Sequence, residues 1–215
     1  VLNQDSHKKI FVEKLESLPI ARPAYSHAET LAAATEYFGG DTLAAGVWVN
    51  KYALKDAFGN LYERHPDEMH RRIAAEIARI ENKYEKPLSE EDIYQLLHRF
   101  RYLVPQGSPM AGIGNPYQVV TLSNCFVIGV EGSADSYGAI MKMDEEQVQL
   151  MKRRGGVGHD LSHLRPAGMP VMNSALTSTG ILPFMERYSN STREVAQDGR
   201  RGALMLTLSV QHPDA

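Results

Sequence analysis

The pattern of apolar residues changes near Pro105, and this change constrains the fold more than any other feature of the chain. Before it, apolar side chains recur at spacings of three and four, between residues that start and stop helices. After it, glycine and proline separate short runs of β-forming residues. The pattern predicts a helical layer followed by an α/β arrangement with long connections.

The helical half contains four helix starts. Each is marked by a residue that can cap or open a helix: Ser26, Asp41, Pro66 and Ser89. Ser26 and Glu29 have the form of a capping box, which predicts a helix over about 27–38. The helix that starts at Pro66 carries its apolar residues on one face, and it is expected to run for roughly five turns.

Beyond Pro105 the sequence predicts the order strand, helix, loop, helix, loop, strand. The segments are a strand centred on Cys125, helices over about 136–152 and 181–190, glycine and arginine loops at 153–158 and 197–202, and a strand over 203–210. Residues 106–116 contain so many glycines and prolines that they are expected to form an irregular loop.

Cys125 is the only cysteine among the 215 residues. A lone thiol in an apolar run is most often a small buried hydrophobic residue. Here two loops with glycine and arginine follow it, and such loops can hold phosphates through backbone amides and guanidinium groups. Neither loop has the spacing of a Rossmann or Walker motif. The thiol and the two loops together indicate redox chemistry on a nucleotide.

Composition narrows the class of protein. The net charge of −3 argues against a protein that coats nucleic acid, and we find no signal peptide and no apolar run of about 18 residues, so no membrane segment is predicted. A single cysteine excludes an internal disulfide framework, which favours a cytoplasmic location. No metal site is predicted, because the spacings define none at His65, His70 and His98. The later His159, His163 and His212 are interpreted as polar loop residues.

Three ordered motifs resemble the catalytic large chain of ribonucleotide reductase. They are Ser123-Asn124-Cys125-Phe126, then 155–158 with 161–166, and 197–203 followed by 212–214. The similarity is collinear from about Tyr37 to the last residue. The resemblance implies a helical domain followed by a ten-stranded α/β barrel. We therefore expect an extended arm at 1–25, a helical domain at 26–104 and the first part of the barrel at 105–215.

The resemblance also implies an activity, the reduction of ribonucleotides to deoxyribonucleotides through a protein thiyl radical. Cys125 matches the first of two reducing cysteines, which become a disulfide and are restored by thioredoxin or glutaredoxin. The partner cysteine and the radical cysteine have no counterpart in this sequence. We therefore expect an amino-terminal fragment that is inactive without the remaining carboxy-terminal polypeptide.

Binding residues follow from the same resemblance, position by position. Those expected near the ribonucleotide substrate are Ser108, Asn124 and Gly156. Those expected to hold ATP or a deoxynucleoside triphosphate as effector are Asp135, Ser136 and Arg165. Gln197 and Arg201 are the expected signalling side chains of a mobile loop that links effector to substrate. The effector site implies a homodimer, completed at helices like those predicted at 136–152 and 181–190.

Several points stay open. Aligning Asp135 rather than Gly132 with the effector carboxylate is a choice, made because it preserves the spacing to Gly156 and Arg165. Met172 stands where some members of the family have a second arginine for the effector phosphates. The residues of the motifs are more similar to the adenosylcobalamin-dependent class of the family than to chains that receive their radical from a separate subunit. Adenosylcobalamin is therefore the expected radical source, with a separate radical-generating subunit as the alternative. The substrate can be a diphosphate or a triphosphate.

Two other functions compete with this one. The first is a regulatory nucleotide-binding module without redox chemistry, in which Cys125 is packed inside its strand. The second is a relative of the glycyl-radical enzymes. This alternative is disfavoured because the segment resembles the oxygen-tolerant or oxygen-indifferent branches of the family.

Overall fold

The structure is a computed structural model that describes residues 24–129, 135–195 and 202–215. The arm expected at 1–25 lies almost wholly outside the described residues. Its last residue, Tyr25, forms an isolated antiparallel bridge with Leu61. No helix in the described ranges has both the length and the apolar character needed to cross a membrane.

The first half is helical, as predicted. It contains α1 (His27–Tyr37), α2 (Thr42–Lys51), α3 (Pro66–Glu81) and α4 (Glu90–Leu97), and a short 3-10 turn (His98–Phe100) follows. Ser26 and Ser89 each form a capping box, and the Asp41 carboxylate accepts a hydrogen bond from the backbone N–H of Ala44. Helix α3 has no side-chain cap; Pro66 and two acidic residues occupy its first turn instead.

One hydrophobic cluster joins these helices. Its buried members include Trp48, Val49, Met69, Ile73, Ile93 and Leu97. Met69 and Ile73 confirm the apolar face predicted for α3. The apolar spacing runs on to Tyr84, but the helix ends at Glu81 after 16 residues, slightly short of five turns. Tyr84 therefore lies beyond the helix and is exposed.

The segment 106–116 differs from its prediction as an irregular loop, because residues Gly107–Gly112 form a short helix, α5. Pro109 lies in the first turn, where backbone N–H groups have no partner inside a helix, so the proline removes no hydrogen bond. Met110 and Ile113 pack against the helical cluster, which stabilises a helix that is too short to persist alone.

The second half is a parallel α/β unit. Its elements are β1 (Cys125–Val127), α6 (Tyr137–Met151), β2 (Gly156–Asp160), α7 (Leu182–Glu194) and β3 (Leu204–Thr207). In the described residues the strands form one open sheet in the order β1-β2-β3, with both pairs parallel. Helices α6 and α7 cover one face through a second hydrophobic cluster that includes Ile140, Met143 and Tyr188.

The first glycine and arginine loop was predicted wrongly in its second half, because Gly156, Val157 and Gly158 belong to the central strand, β2. A Cβ added at Gly156 would lie 3.3 Å from both Ala203 Cβ and the Asn124 carbonyl oxygen. The two neighbouring strands thus approach too closely for a larger side chain, which explains a strand built on glycine. His159 is correspondingly a buried strand residue, so its interpretation as a polar loop residue is wrong. His212 lies in a turn, as interpreted, although it is buried.

Candidate active site

Cys125 is the first residue of β1 and its thiol is exposed. Cys125 and Val127 are exposed, whereas Phe126 between them is partly covered and lies near Gly155. Alternation along a strand therefore places the thiol on the sheet face opposite the helices. In the described residues Cys125 is thus exposed on its strand.

The neighbouring strand carries no side chains beside the thiol. Cys125 pairs with Gly156, and Val127 pairs with Gly158. Residues paired across a sheet point to the same face, so β2 contributes two hydrogen atoms and no side chain next to Cys125. The result is a strip of strand without side chains next to the exposed Cys125; within it Gly156 is buried and Gly158 is partly buried.

Asn124 connects this strip to α5. Its side-chain oxygen accepts a hydrogen bond from the backbone N–H of Ser108 at 2.8 Å, and its side-chain amide donates to Gln106. Its backbone carbonyl accepts the N–H of Gly156 at 2.6 Å. The structure therefore brings together the three residues predicted to lie near the substrate, and Cys125 directly follows one of them.

Ser108 itself is fully buried, and its hydroxyl donates to the carbonyl of Arg154 at 3.4 Å. The arginines before β2 also form contacts within the protein. Arg153 donates to the Gln149 carbonyl at 2.7 Å, and Arg154 donates to the Lys51 carbonyl at 2.7 Å. These guanidinium groups fasten the turn before β2 to α6 and α2, although the sequence suggested that they would hold anions.

A second candidate site lies between α6 and the segment that follows β2. The Asp135 carboxylate accepts hydrogen bonds from the Arg165 backbone N–H at 3.2 Å and from its Nε at 2.7 Å. Ser136 caps α6 by accepting the N–H of Ala139 at 3.1 Å. These three predicted effector residues line one cleft of about 490 Å³. That volume lies within the range of small-molecule sites.

The other wall of this cleft is a short hairpin closed by a bridge between Pro170 and Thr177. Met172 stands on it, fully exposed at the rim of the cleft. The Met172 side chain is uncharged. Among the described residues that line the cleft, Arg165 is the arginine that a phosphate at this rim would contact. The predicted signalling residues Gln197 and Arg201 lie outside the described residues.

Sequence reasoning missed two buried pairs of polar side chains. Arg72 and Glu63 form an ion pair with side chains 4% and 2% exposed, at 2.7 Å. Gln147 is fully buried and lies 3.1 Å from His159 Nε2, while burial lowers the pKa of His159 to about 4. The available signal for Arg72 was its place on α3 between the apolar Met69 and Ile73.

Comparison with known proteins gives the family. Residues 38–116 match "Ribonucleotide reductase, all-alpha domain" and residues 123–215 match "Ribonucleotide reductase, barrel domain". The fold agrees, since helices precede a parallel sheet that is open in the described residues. The chain belongs to the family of ribonucleotide reductase large chains, and it holds a helical domain followed by the start of the barrel. The resemblance found in the motifs is thereby confirmed.

Individual relatives agree. The chain is 33% identical over 175 residues to a vitamin B12-dependent ribonucleoside-diphosphate reductase of Mycobacterium tuberculosis. The aligned residues make up 80% of this chain and 24% of the relative. It is 30% identical over 174 residues to a ribonucleoside-diphosphate reductase subunit alpha of Mycoplasma genitalium, 80% of this chain and 23% of that relative. The chain thus spans about a quarter of the length of these curated relatives.

The described residues form no metal centre from their own side chains. They contain no group of three or more His, Cys, Asp or Glu side chains that could hold a metal ion.

Proposed function

We propose that this chain forms the part of a ribonucleotide reductase that binds the ribonucleotide and supplies one of its two reducing thiols, Cys125. The observation that carries the proposal is the exposed Cys125, which pairs across the sheet with Gly156 and so has no side chain beside it on β2. The neighbouring Ser108 and Asn124 would shape the phosphate end of the same site.

The chemistry places one demand on the rest of the protein. Loss of the ribose 2′ hydroxyl as water consumes two electrons and two protons, which two thiols supply as they become a disulfide. This sequence contains one cysteine, and a disulfide requires a second sulfur about 2 Å away. The proposal therefore requires a second cysteine from polypeptide outside these 215 residues. Thioredoxin or glutaredoxin would then restore both thiols.

The decisive experiment is Cys125→Ser in the complete natural protein, with deoxynucleotide formation measured from ribonucleoside diphosphates and triphosphates. We expect the rate to fall at least about a thousandfold, because a hydroxyl cannot form the disulfide. Ser123→Ala is the matched control, since Ser123 is also exposed and lies two residues away. Unchanged activity in Cys125→Ser would remove the redox role and leave the regulatory nucleotide-binding module.

The cleft at Asp135, Ser136 and Arg165 is proposed as the effector site for ATP or a deoxynucleoside triphosphate. Its support is the convergence of a carboxylate, a guanidinium group and a helix start on one cavity. We further propose that α6 and α7 lie at the interface of a homodimer, and that Gln197 and Arg201 couple the two nucleotide sites.

The radical source is a separate part of the proposal. One relative is named as vitamin B12-dependent. Adenosylcobalamin is therefore proposed, with a separate radical-generating subunit as the alternative. Formation of deoxynucleotides by the complete natural protein with added adenosylcobalamin, and without any second subunit, would distinguish these sources.

A further inference from the structure

Helix α5 cannot hold its own position. It has six residues, and the carbonyl groups in the last turn of any helix lack partners within it. Here other groups take those carbonyls. Asn115 binds two of them, donating from its side chain to Ala111 at 2.9 Å and from its backbone to Gly112 at 3.1 Å.

Arg72 takes two more carbonyls at the same end of α5. Its Nη2 donates to the Met110 carbonyl at 2.9 Å, and its Nη1 donates to the Ile113 carbonyl. A cation at the carboxyl end of a helix also interacts favourably with the helix dipole. The guanidinium group therefore acts as the carboxyl-terminal cap of α5, although it belongs to α3 in the helical domain.

The guanidinium group is itself held in place. Its Nε donates to Glu63 Oε1 at 2.7 Å, and Glu63 Oε2 accepts the backbone N–H of Leu54 at 2.8 Å. Both side chains are almost fully buried. A planar guanidinium with its donors fixed in a fork has little freedom in such a site.

The backbone after α5 is shaped around the same arginine. Gly114 has a φ of +68°, and a Cβ there would lie 2.9 Å from Arg72 Cγ. The chain thus bends closely over the Arg72 stem before it runs on toward β1.

The opposite end of α5 leads to the site. Ser108 lies in the first turn, and its N–H is bound by Asn124, which precedes Cys125. A shift of α5 would therefore be transmitted to Asn124 and to the start of β1.

We propose that Arg72, held by Glu63, is a positioning residue that sets the location of α5 and so the phosphate end of the ribonucleotide site. Arg72 does not contact the substrate; it acts through Met110, Ile113 and Ser108. The inference rests on the proposed function, because it assigns a task to the same site.

The test uses the complete natural protein with Arg72→Met combined with Glu63→Gln. The double variant avoids a buried unpaired carboxylate, which by itself would be strongly destabilising. Arg71→Met is the matched control. Arg71 directly precedes Arg72 on α3, but it is exposed and pairs with Glu91 on the surface. Arg72→Lys is the conservative variant, which keeps the charge but loses the fork.

Amide hydrogen exchange is the first readout. We expect exchange over 107–113 to accelerate at least about tenfold in the double variant, while the α3 amides and the Arg71→Met protein are unchanged. Unaltered protection over 107–113 would overturn the proposal.

Steady-state kinetics and ligand titration form the second readout. The KM for the ribonucleotide is expected to rise about tenfold with kcat nearly unchanged, since phosphate contacts bind substrate and transition state alike. Effector affinity at the Asp135 cleft should change less than about twofold, and Arg72→Lys should fall between the wild type and the double variant. Equal losses of substrate and effector affinity would indicate general damage and would overturn the positioning role.

The two ideas fail separately. If the unsubstituted protein bound no ribonucleotide, the proposed function would be wrong. Accelerated exchange over 107–113 in the double variant would then still support Arg72 as the residue that locates α5.

Discussion

Arg165 donates two hydrogen bonds to the carboxylate of Asp135, thirty residues earlier in the chain, one from its backbone N–H and one from its Nε. Both side chains are about one third exposed, so the pair remains open to the cleft that it lines. A residue pair that is formed but accessible can bind a ligand without a large rearrangement.

Neutralising Asp135 tests the cleft. Asp135→Asn removes the charge that orients Arg165 and leaves one amide oxygen in place of two carboxylate acceptors, so we expect the affinity for deoxynucleoside triphosphates to fall about tenfold, or about 1.4 kcal/mol. Calorimetric titration with dATP, dTTP and dGTP measures this. Arg79→Gln is the control, because Arg79 is an exposed arginine of α3 outside this cleft. Equal affinity in Asp135→Asn and wild type would assign the effector site elsewhere.

Truncating Asn124 tests the contact between α5 and β1. Asn124→Ala leaves the N–H of the fully buried Ser108 without its acceptor, which costs about 1 to 3 kcal/mol of unfolding free energy. Urea unfolding measures the loss, and ribonucleotide titration should show weaker binding. Asn190→Ala, on the exposed surface of α7, should change stability by less than about 0.5 kcal/mol. Similar values for the two variants would contradict the assigned role.

The buried histidines predict a pH dependence of stability. Burial lowers the pKa of both His70 and His159 to about 4. In the unfolded chain histidine titrates near 6.5, so that chain takes up protons first as the pH falls. The unfolding free energy should therefore decrease from about pH 6.5 toward pH 4, by up to about 1.4 kcal/mol per pH unit for each histidine.

His70→Leu separates one histidine from the other. In the described part of the chain neither ring nitrogen of His70 has a hydrogen-bond partner, and the ring packs edge-on against Phe100. An apolar replacement loses no hydrogen bond there and should reduce the pH slope by about 1.4 kcal/mol per unit. Urea unfolding between pH 7.5 and 4.5 measures it. A slope equal to that of wild type would show that His70 is not the group that titrates.

Alanine substitution at two glycines is expected to change the stability of the protein in opposite directions. Gly114→Ala places a side chain at positive φ and against Arg72, so we expect a loss of at least about 1 to 2 kcal/mol. Gly46→Ala, inside α2 with nothing within 4 Å, should instead stabilise the protein by about 0.5 to 1 kcal/mol. Thermal unfolding compares the two variants. Stabilisation by Gly114→Ala would mean that the chain does not bend closely over Arg72.

Much of the helical half could be predicted because its signals are local. Ser26, Asp41 and Ser89 each bind a backbone N–H three residues away, so a short window of sequence contains both partners. The convergence of Asp135, Ser136 and Arg165 on one cleft agrees with the resemblance, although their role as effector ligands stays a prediction.

Strand β2 was missed because its stability depends on distant partners. Gly156 and Gly158 have low strand propensity, and their pairing residues lie in β1 and β3, far away in sequence. The same reason explains α5, whose breaker-rich sequence becomes helical only where Arg72 and Asn115 cap it.

The sequence by itself thus determined the helix starts, the order of the two halves and the family, because each depends on neighbouring residues or on motifs read in order. Only the tertiary structure decided that the Cys125 sulfur is accessible beside two glycines, and that Arg72 turns inward to Glu63 and α5. Those features depend on hydrogen bonds and close approaches between segments far apart in the chain, which no local pattern encodes.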